Sequence, residues 1–252
     1  MDPRIVIMNF THIYEVGEIL KNKRIEWIDC TQINGTNCLC DEQAKQQLMA
    51  KMSPYGACGI HFIDSGNYHY VSKLWIDKIK IPFSLVVFDH HPDMQPGLFD
   101  NLLSCGCWVK EVLDTNPYVR QVCIVGASES LIDRVSSHCY GDRLVFYSDR
   151  TLLREEGWHR FAHERLEGPV YISVDKDVLD ETYAVTNWDQ GTMSLPELKE
   201  LLTIILNHQR LIGIDICGEC TLDGKLFEAG CYRHLNFCTD KEIVTLIEHH
   251  SC

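Results

Sequence analysis

Val170-Tyr171-Ile172-Ser173-Val174-Asp175-Lys176-Asp177-Val178-Leu179-Asp180 runs from an apolar, β-branched stretch straight into spaced carboxylates. An apolar run of this length reads as a strand buried on both faces, the kind that builds parallel sheets. Side chains two apart share a face, so Asp175 and Asp177 are expected together at the strand's end. The same design recurs at Phe88-Asp89-His90-His91-Pro92-Asp93, which follows Leu85-Val86-Val87. In extended chain Asp89, His91 and Asp93 point one way and His90 the other. Carboxylates gathered at a strand mouth are costly to desolvate unless something positive sits among them, and a divalent cation is the natural candidate. A third stretch, Asp64-Ser65-Gly66-Asn67-Tyr68-His69, follows the strand-like Gly59–Ile63. Gly66 permits a tight strand-to-helix turn there and sets His69 near a helix start.

Outward from these stretches the chain alternates. Short apolar runs appear at Arg4–Phe10, Glu26–Cys30, Gly59–Asp64 and Phe83–Asp89, then at Gln121–Gly126, Arg143–Ser148, Val170–Asp175 and Leu211–Cys217. Between most of them lie segments of helical period, such as Leu195–His208 and Lys241–His249. Ser194 and Glu197 read as a capping box with Pro196 early in the helix, and Thr239 and Asp240 as a cap for the last helix. Some eight strands alternating with helices mean βαβ units and a parallel sheet. The pattern alone fits an open three-layer sandwich and an eight-fold barrel equally, but both place functional residues at strand C-terminal ends.

With 252 residues, 45% hydrophobic and 23% charged, the chain is read as one α/β domain spanning 1–252. Its 23 Lys and Arg against 36 Asp and Glu give a net charge of −13, which argues against a general polyanion binder, so no nucleic-acid partner is expected. The N-terminus has no apolar leader pattern and no window approaches a membrane span, so a cytoplasmic protein without a membrane partner is expected. Thirteen scattered cysteines fit a reducing compartment better than a disulfide scaffold. The close pairs Cys38/Cys40, Cys105/Cys107 and Cys217/Cys220 could supply a zinc site, but small buried thiols are the simpler reading.

The three acidic stretches, in this order and spacing, resemble the arginase/agmatinase/formiminoglutamase (ureohydrolase) family, whose patterns are Gly-Gly-x-His, Asp-x-His-x-Asp and Ser-x-Asp-x-Asp-x-x-Asp at strand ends. The resemblance covers nearly the whole chain. It implies a three-layer α/β/α sandwich with an eight-stranded, mostly parallel sheet, which decides against the barrel. It also implies that His69, Asp89, Asp93 and Asp175 hold one divalent ion and Asp89, His91, Asp175 and Asp177 a second, with Asp89 and Asp175 bridging. Four carboxylates balance two dications, and an oxygen-rich set with two imidazoles suits Mn²⁺. Such a pair supplies hydroxide near neutral pH. In the family this hydroxide attacks a guanidinium or formimino carbon, releasing urea or formamide, and Asp177 beside it is the candidate to deliver a proton to the leaving nitrogen. By the same resemblance Glu219 would hold a substrate guanidinium, although it lies one residue beyond the usual Asp-x-x-Glu spacing from Asp215. Asp180, which lacks the usual following Pro, would orient the ligands from behind. Members are often trimers or hexamers, which leaves room for a homo-oligomer.

Departures from the family pattern point away from arginine. The His expected in the segment Asn101–Trp108 is Cys105, which is read as a substrate-facing pocket wall and not a nucleophile. Gln95 stands where arginases place an Asn that reads the substrate carboxylate, and Gly126-Ala127-Ser128-Glu129-Ser130 differs from the arginase version that grips the α-amino group. Asn67 replaces the second Gly of the first motif, a mild change because Asn tolerates left-handed backbone. The expected activity is therefore hydrolysis of a non-peptide C–N bond in a small cationic or formimino compound. Two other readings remain open at this point: a one-metal amide deacetylase using Asp89, His91 and Asp175, and a metal-binding pseudoenzyme whose surface binds a partner.

Overall fold

In the computed structural model the described residues are 4–16, 25–97, 102–135, 139–151, 166–221 and 226–250. Eight strands form one sheet: β1 (Ile5–Asn9), β2 (Ile25–Asp29), β4 (Gly59–Phe62), β5 (Phe83–Phe88), β7 (Val119–Val125), β8 (Leu144–Tyr147), β9 (Val170–Asp175) and β10 (Leu211–Cys217). Their order is β2-β1-β4-β10-β9-β5-β7-β8, and every pairing in it is parallel. Parallel neighbours need crossovers and put helices on the faces, so both faces are buried. Alternation along each strand sorts the side chains into two cores. Ile5, Ile7, Phe62, Phe88, Ile172, Val174 and Ile216 join one, and Val6, Met8, Leu85, Val87, Tyr171 and Cys217 the other. This is the three-layer α/β/α sandwich expected above.

The four strands that end in acidic stretches or beside them, β4, β10, β9 and β5, are consecutive at the centre of the sheet. Their C-terminal ends therefore open onto one crevice, the place where open α/β sheets bind ligands. Outside the sheet, Leu39–Cys40 (β3) and Leu103–Ser104 (β6) form a small antiparallel ribbon that is too short to show a period in the sequence. It brings Cys105 beside Cys38, whose carbonyl accepts the Cys105 N–H at 3.0 Å.

The helix Leu195–His208 starts as expected, with both halves of the Ser194/Glu197 capping box formed. The expected cap at Thr239 and Asp240 is not one. The last helix runs Leu226–His250, so both residues lie inside it. Their polar groups serve tertiary contacts instead: Thr239 Oγ1 donates to the Tyr183 carbonyl, and Asp240 accepts from Lys176. Cap residues and buried hydrogen-bonding residues are the same types, which is why the sequence misled. None of the helices among the described residues is long and apolar enough to cross a membrane.

Candidate metal centre

Three extended-chain expectations meet the structure differently. Only Asp175 belongs to a strand; Asp89 comes one residue after β5, and Asp177 lies in a 3₁₀ turn (Lys176–Val178). Strand alternation is therefore not what gathers these side chains. Asp93 has φ +50, a left-handed conformation that folds its carboxylate back toward Asp89. Asp177 is turned in by its own N–H, which donates to Asp175 Oδ1 at 3.0 Å. Tight turns at strand ends can aim consecutive acids inward where extended chain would fan them out.

The result is two adjoining groups. His69 Nδ1 lies 3.1 Å from Asp89 Oδ2, 3.2 Å from Asp93 Oδ2 and 3.4 Å from Asp175 Oδ2. His91 Nδ1 lies 2.9 Å from Asp177 Oδ2 and 3.5 Å from Asp89 Oδ1. Asp89 belongs to both groups, facing His69 with one oxygen and His91 with the other, whereas Asp175 groups with His69 and Cys217 and not with Asp89 or Asp93. All six residues expected as metal ligands are thus brought together. Five are buried and His91 is half-buried.

The second layer explains how they are held. Ser173 Oγ donates to Asp215 Oδ1 at 2.6 Å, so its oxygen is free to accept from His69 Nε2 at 2.9 Å. That places the hydrogen of neutral His69 on Nε2 and leaves the Nδ1 lone pair facing three carboxylate oxygens. His91 Nε2 lies 3.2 Å from Asp189 Oδ1. Trp108 Nε1 donates to Asp93 Oδ2 at 2.6 Å, and the His90 and His91 N–H groups donate to Asp177 Oδ1 and Asp89 Oδ1. Imidazoles fixed by hydrogen bonds on the far nitrogen are the usual support of a metal ligand.

The fit to a cation is visible in what is unsatisfied. Asp89 Oδ2 is buried and completes no hydrogen bond, despite its closeness to His69. Burial, reinforced by Asp177, raises Asp175 to about 7, and burial with Asp89 nearby raises Asp177 to about 6. Burial also raises Asp93. Burial works against charge on His91, but Asp177 and Asp89 outweigh it and lift that ring to about 12. His69 is likewise raised despite burial, by Cys217, Asp89 and Asp93. A centre that binds protons this tightly is one in which divalent ions can take their place.

Other expected residues stand elsewhere. Glu219 is buried, but one carboxylate oxygen is taken by Lys176 Nζ and the other by Asn236 Nδ2 at 3.1 Å. Lys176 also donates to Asp240 Oδ1 at 2.9 Å, making a separate buried ionic cluster. In this structure the charge of Glu219 is therefore paired with Lys176. The fourth place of the Asp215-x-x-Glu spacing is Gly218, at φ +92, where a Cβ would meet Asp175 Oδ1 at 2.5 Å. Asp180 makes its hydrogen bonds locally. Its Oδ1 accepts from the Thr182 N–H and hydroxyl and holds its own turn.

Gln95 is exposed and packs on Gly106. Cys105 is half-buried, and burial, with Asp93 next in effect, pushes its thiol up. Gly66 has ordinary backbone angles. It is small because a Cβ would sit 2.9 Å from Asp175 Oδ2 and 3.0 Å from the Trp188 ring, so close packing replaces the turn freedom expected of it.

Two contributors escaped the sequence reading. Trp108 bonds Asp93 from the start of the helix Trp108–Thr115. Cys217 Sγ approaches Asp175 Oδ2 to 3.1 Å and groups with His69 and Asp175. The available signal was alternation: Asp215 and Cys217 share a face of β10, and they pair in register with Ser173 and Asp175 of β9.

Comparison with known proteins agrees with this fold. A protein of Thermotoga maritima described only as uncharacterized is 32% identical over 220 residues, 86% of this chain and 80% of that one. The solved proclavaminate amidino hydrolase from Streptomyces clavuligerus superposes with a TM-score of 0.68 at 15% identity, covering 98% of this chain and 92% of its own. A Trypanosoma cruzi formiminoglutamase solved with Mn²⁺ gives 0.65 at 11% identity, covering 94% and 92%. The model of the arginase family matches residues 9–219. The chain belongs to the arginase family.

Proposed function

We propose that the protein is a binuclear-metal hydrolase of a non-peptide C–N bond in a guanidino, amidino or formimino compound other than arginine. The observation that carries this reading is the convergence of two imidazole Nδ1 atoms and four buried carboxylates, with Asp89 common to both groups. His69, Asp89, Asp93 and Asp175 would hold one ion and Asp89, His91 and Asp177 the other, Mn²⁺ being the ion that an oxygen-rich set suits. When bound, a pair of divalent ions supplies Lewis acidity and water activated near neutral pH.

The chain's own residues do the rest. Ser173 and Asp215 fix the tautomer of His69, and Asp189 steadies His91. Asp177, buried beside His91, would carry a proton toward the leaving nitrogen. The Trp188 ring stands 5.8 Å from His91. Arginine ranks low because Gln95 and the segment Gly126-Ala127-Ser128-Glu129-Ser130 depart from the arginase residues that read its carboxylate and α-amino group, so agmatine-like amines and formimino-amino acids are the substrates to test first. The experiment is release of urea, ammonia or formamide from a panel of such compounds by Mn²⁺-reconstituted protein. Turnover of one class with two ions per chain is expected. A firm stoichiometry of one, or silence across the panel with both ions bound, overturns the reading.

A further inference from the structure

Strand β10 delivers a sulfur atom to the metal centre that no reading of the acidic motifs requires. Cys217 is its last residue, fully buried, opposite Asp175 in the β10–β9 register. Immediately after it the chain passes so close to β9 that residue 218 is glycine at φ +92, with no room for a Cβ beside Asp175 Oδ1. This close approach presses Cys217 onto its neighbour. Sγ stands 3.1 Å from Asp175 Oδ2, and Cys217, Asp175 and His69 each offer a ligand atom in a group whose atoms all lie within 4.8 Å of one another.

His69 is the pivot of the arrangement. Its Nε2 rests on Ser173 and its Nδ1 faces Asp175, so it spans the β9 residues whose β10 partners are Asp215 and Cys217. Independently, Asp89 Oδ2 is buried, without a hydrogen bond, and 3.1 Å from that same Nδ1. His69 Nδ1 thus faces both the unsatisfied Asp89 oxygen and the Asp175 oxygen beside which the thiol stands.

We propose that Cys217 is a thiolate ligand of the ion on the His69 side, which makes that position one for Zn²⁺ or a similarly thiophilic dication. The inference rests on the binuclear reading above and deepens it. The two positions then differ in kind: the His91 side offers only oxygen and imidazole donors, as Mn²⁺ prefers, and the His69 side adds sulfur. On binding, the Sγ–H bond breaks, its proton passes to solvent, and the sulfur lone pair forms the bond to the ion. No atom changes oxidation state.

Metal-stripped protein reconstituted with two equivalents of Zn²⁺ is the sample, and zinc-edge X-ray absorption the readout. A sulfur shell at about 2.3 Å is expected in addition to the nitrogen and oxygen shell. Co²⁺ in place of Zn²⁺ should show an intense near-ultraviolet sulfur-to-metal charge-transfer band. Both signals should vanish in Cys217→Ser and persist in Cys105→Ser and Cys38→Ser. If Cys217→Ser does not fold, Cys217→Ala serves. The wild-type spectrum alone is also decisive against the proposal, because a two-ion protein with only nitrogen and oxygen scatterers overturns it while leaving the hydrolase reading intact. Loss of the sulfur shell in Cys105→Ser with retention in Cys217→Ser overturns it too. A wild-type chain that holds no ion overturns both readings together.

Discussion

Asp89 is the residue on which the centre turns, because its two oxygens face different imidazoles. Removing it leaves His69 and His91 each short of a donor, whereas removing Asp93 takes a donor from the His69 side alone. Asp89→Ala should therefore bring bound metal below one ion per chain, and Asp93→Ala should leave about one. Elemental analysis after Mn²⁺ loading and gel filtration reads this directly, and equal losses in the two variants would show that the groups do not share Asp89. Cys105 is the contrasting case. Its thiol is pushed up by burial and by Asp93, so a neutral wall is what it offers the pocket. Cys105→Ser should keep full metal content and most of the turnover. A substrate-derived adduct on Cys105 in protein quenched during turnover, seen by mass spectrometry, would reverse that assignment.

At the scale of elements, the helix Leu195–His208 shows how local chemistry and packing divide the work. Its start is fixed by the Ser194 side chain, which accepts the Glu197 N–H, while the Glu197 carboxylate returns to the Ser194 N–H at 2.7 Å. Its position is fixed by Leu198, Leu201, Leu202, Ile204 and Ile205, which are buried against the sheet with Ile243, Val244 and Ile247 of the last helix. Ser194→Ala removes one half of the box and should cost about 1 kcal/mol. Denaturant unfolding measures it, and metal content, set by residues at the strand ends, should not change. A loss of bound metal with unchanged stability would mean that this helix reaches the centre in a way the packing does not indicate.

For the whole molecule, the buried polar line that runs from His61 to the candidate metal centre links folding to pH. His61 is fully buried, stacked on Trp75 at 3.9 Å with its Nδ1 3.1 Å from the Tyr171 hydroxyl. Burial first, and Lys78 second, hold its pKa down at about 3 against 6.5. The unfolded chain therefore binds a proton there between pH 6.5 and 3 that the folded chain refuses. Stability from this group is complete above pH 6.5 and is lost as the pH falls, at no more than about 1.4 kcal/mol per unit. Asp215, raised to about 6 by burial, acts with the opposite sign, since the folded chain holds its proton more tightly. Comparing variants isolates the histidine. His61→Phe, which keeps an aromatic ring on Trp75, should lose stability less steeply than wild type on acidification across that range. Parallel curves of unfolding free energy against pH would remove His61 from the account.

The sequence by itself determined the alternation of strands and helices, the capping box at Ser194, and the identity of the six residues that converge on the centre. Those features are local: β-branched runs select strands, a cap satisfies its own helix end, and acids after an apolar run are recognisable where they stand. The order of the strands, which sets β4, β10, β9 and β5 side by side, was not in any one segment, and only the likeness to a family separated sandwich from barrel. Tertiary structure alone decided the rest. Lys176 and Asn236 reach Glu219 from distant chain positions and occupy the two oxygens of its buried carboxylate. Thr239 and Asp240 became helix interior for the same reason, since their side chains had better partners across the fold than along it. Cys217 lies beside Asp175 because two strands far apart in the chain pair in one register, and a register is a relation that no single strand contains.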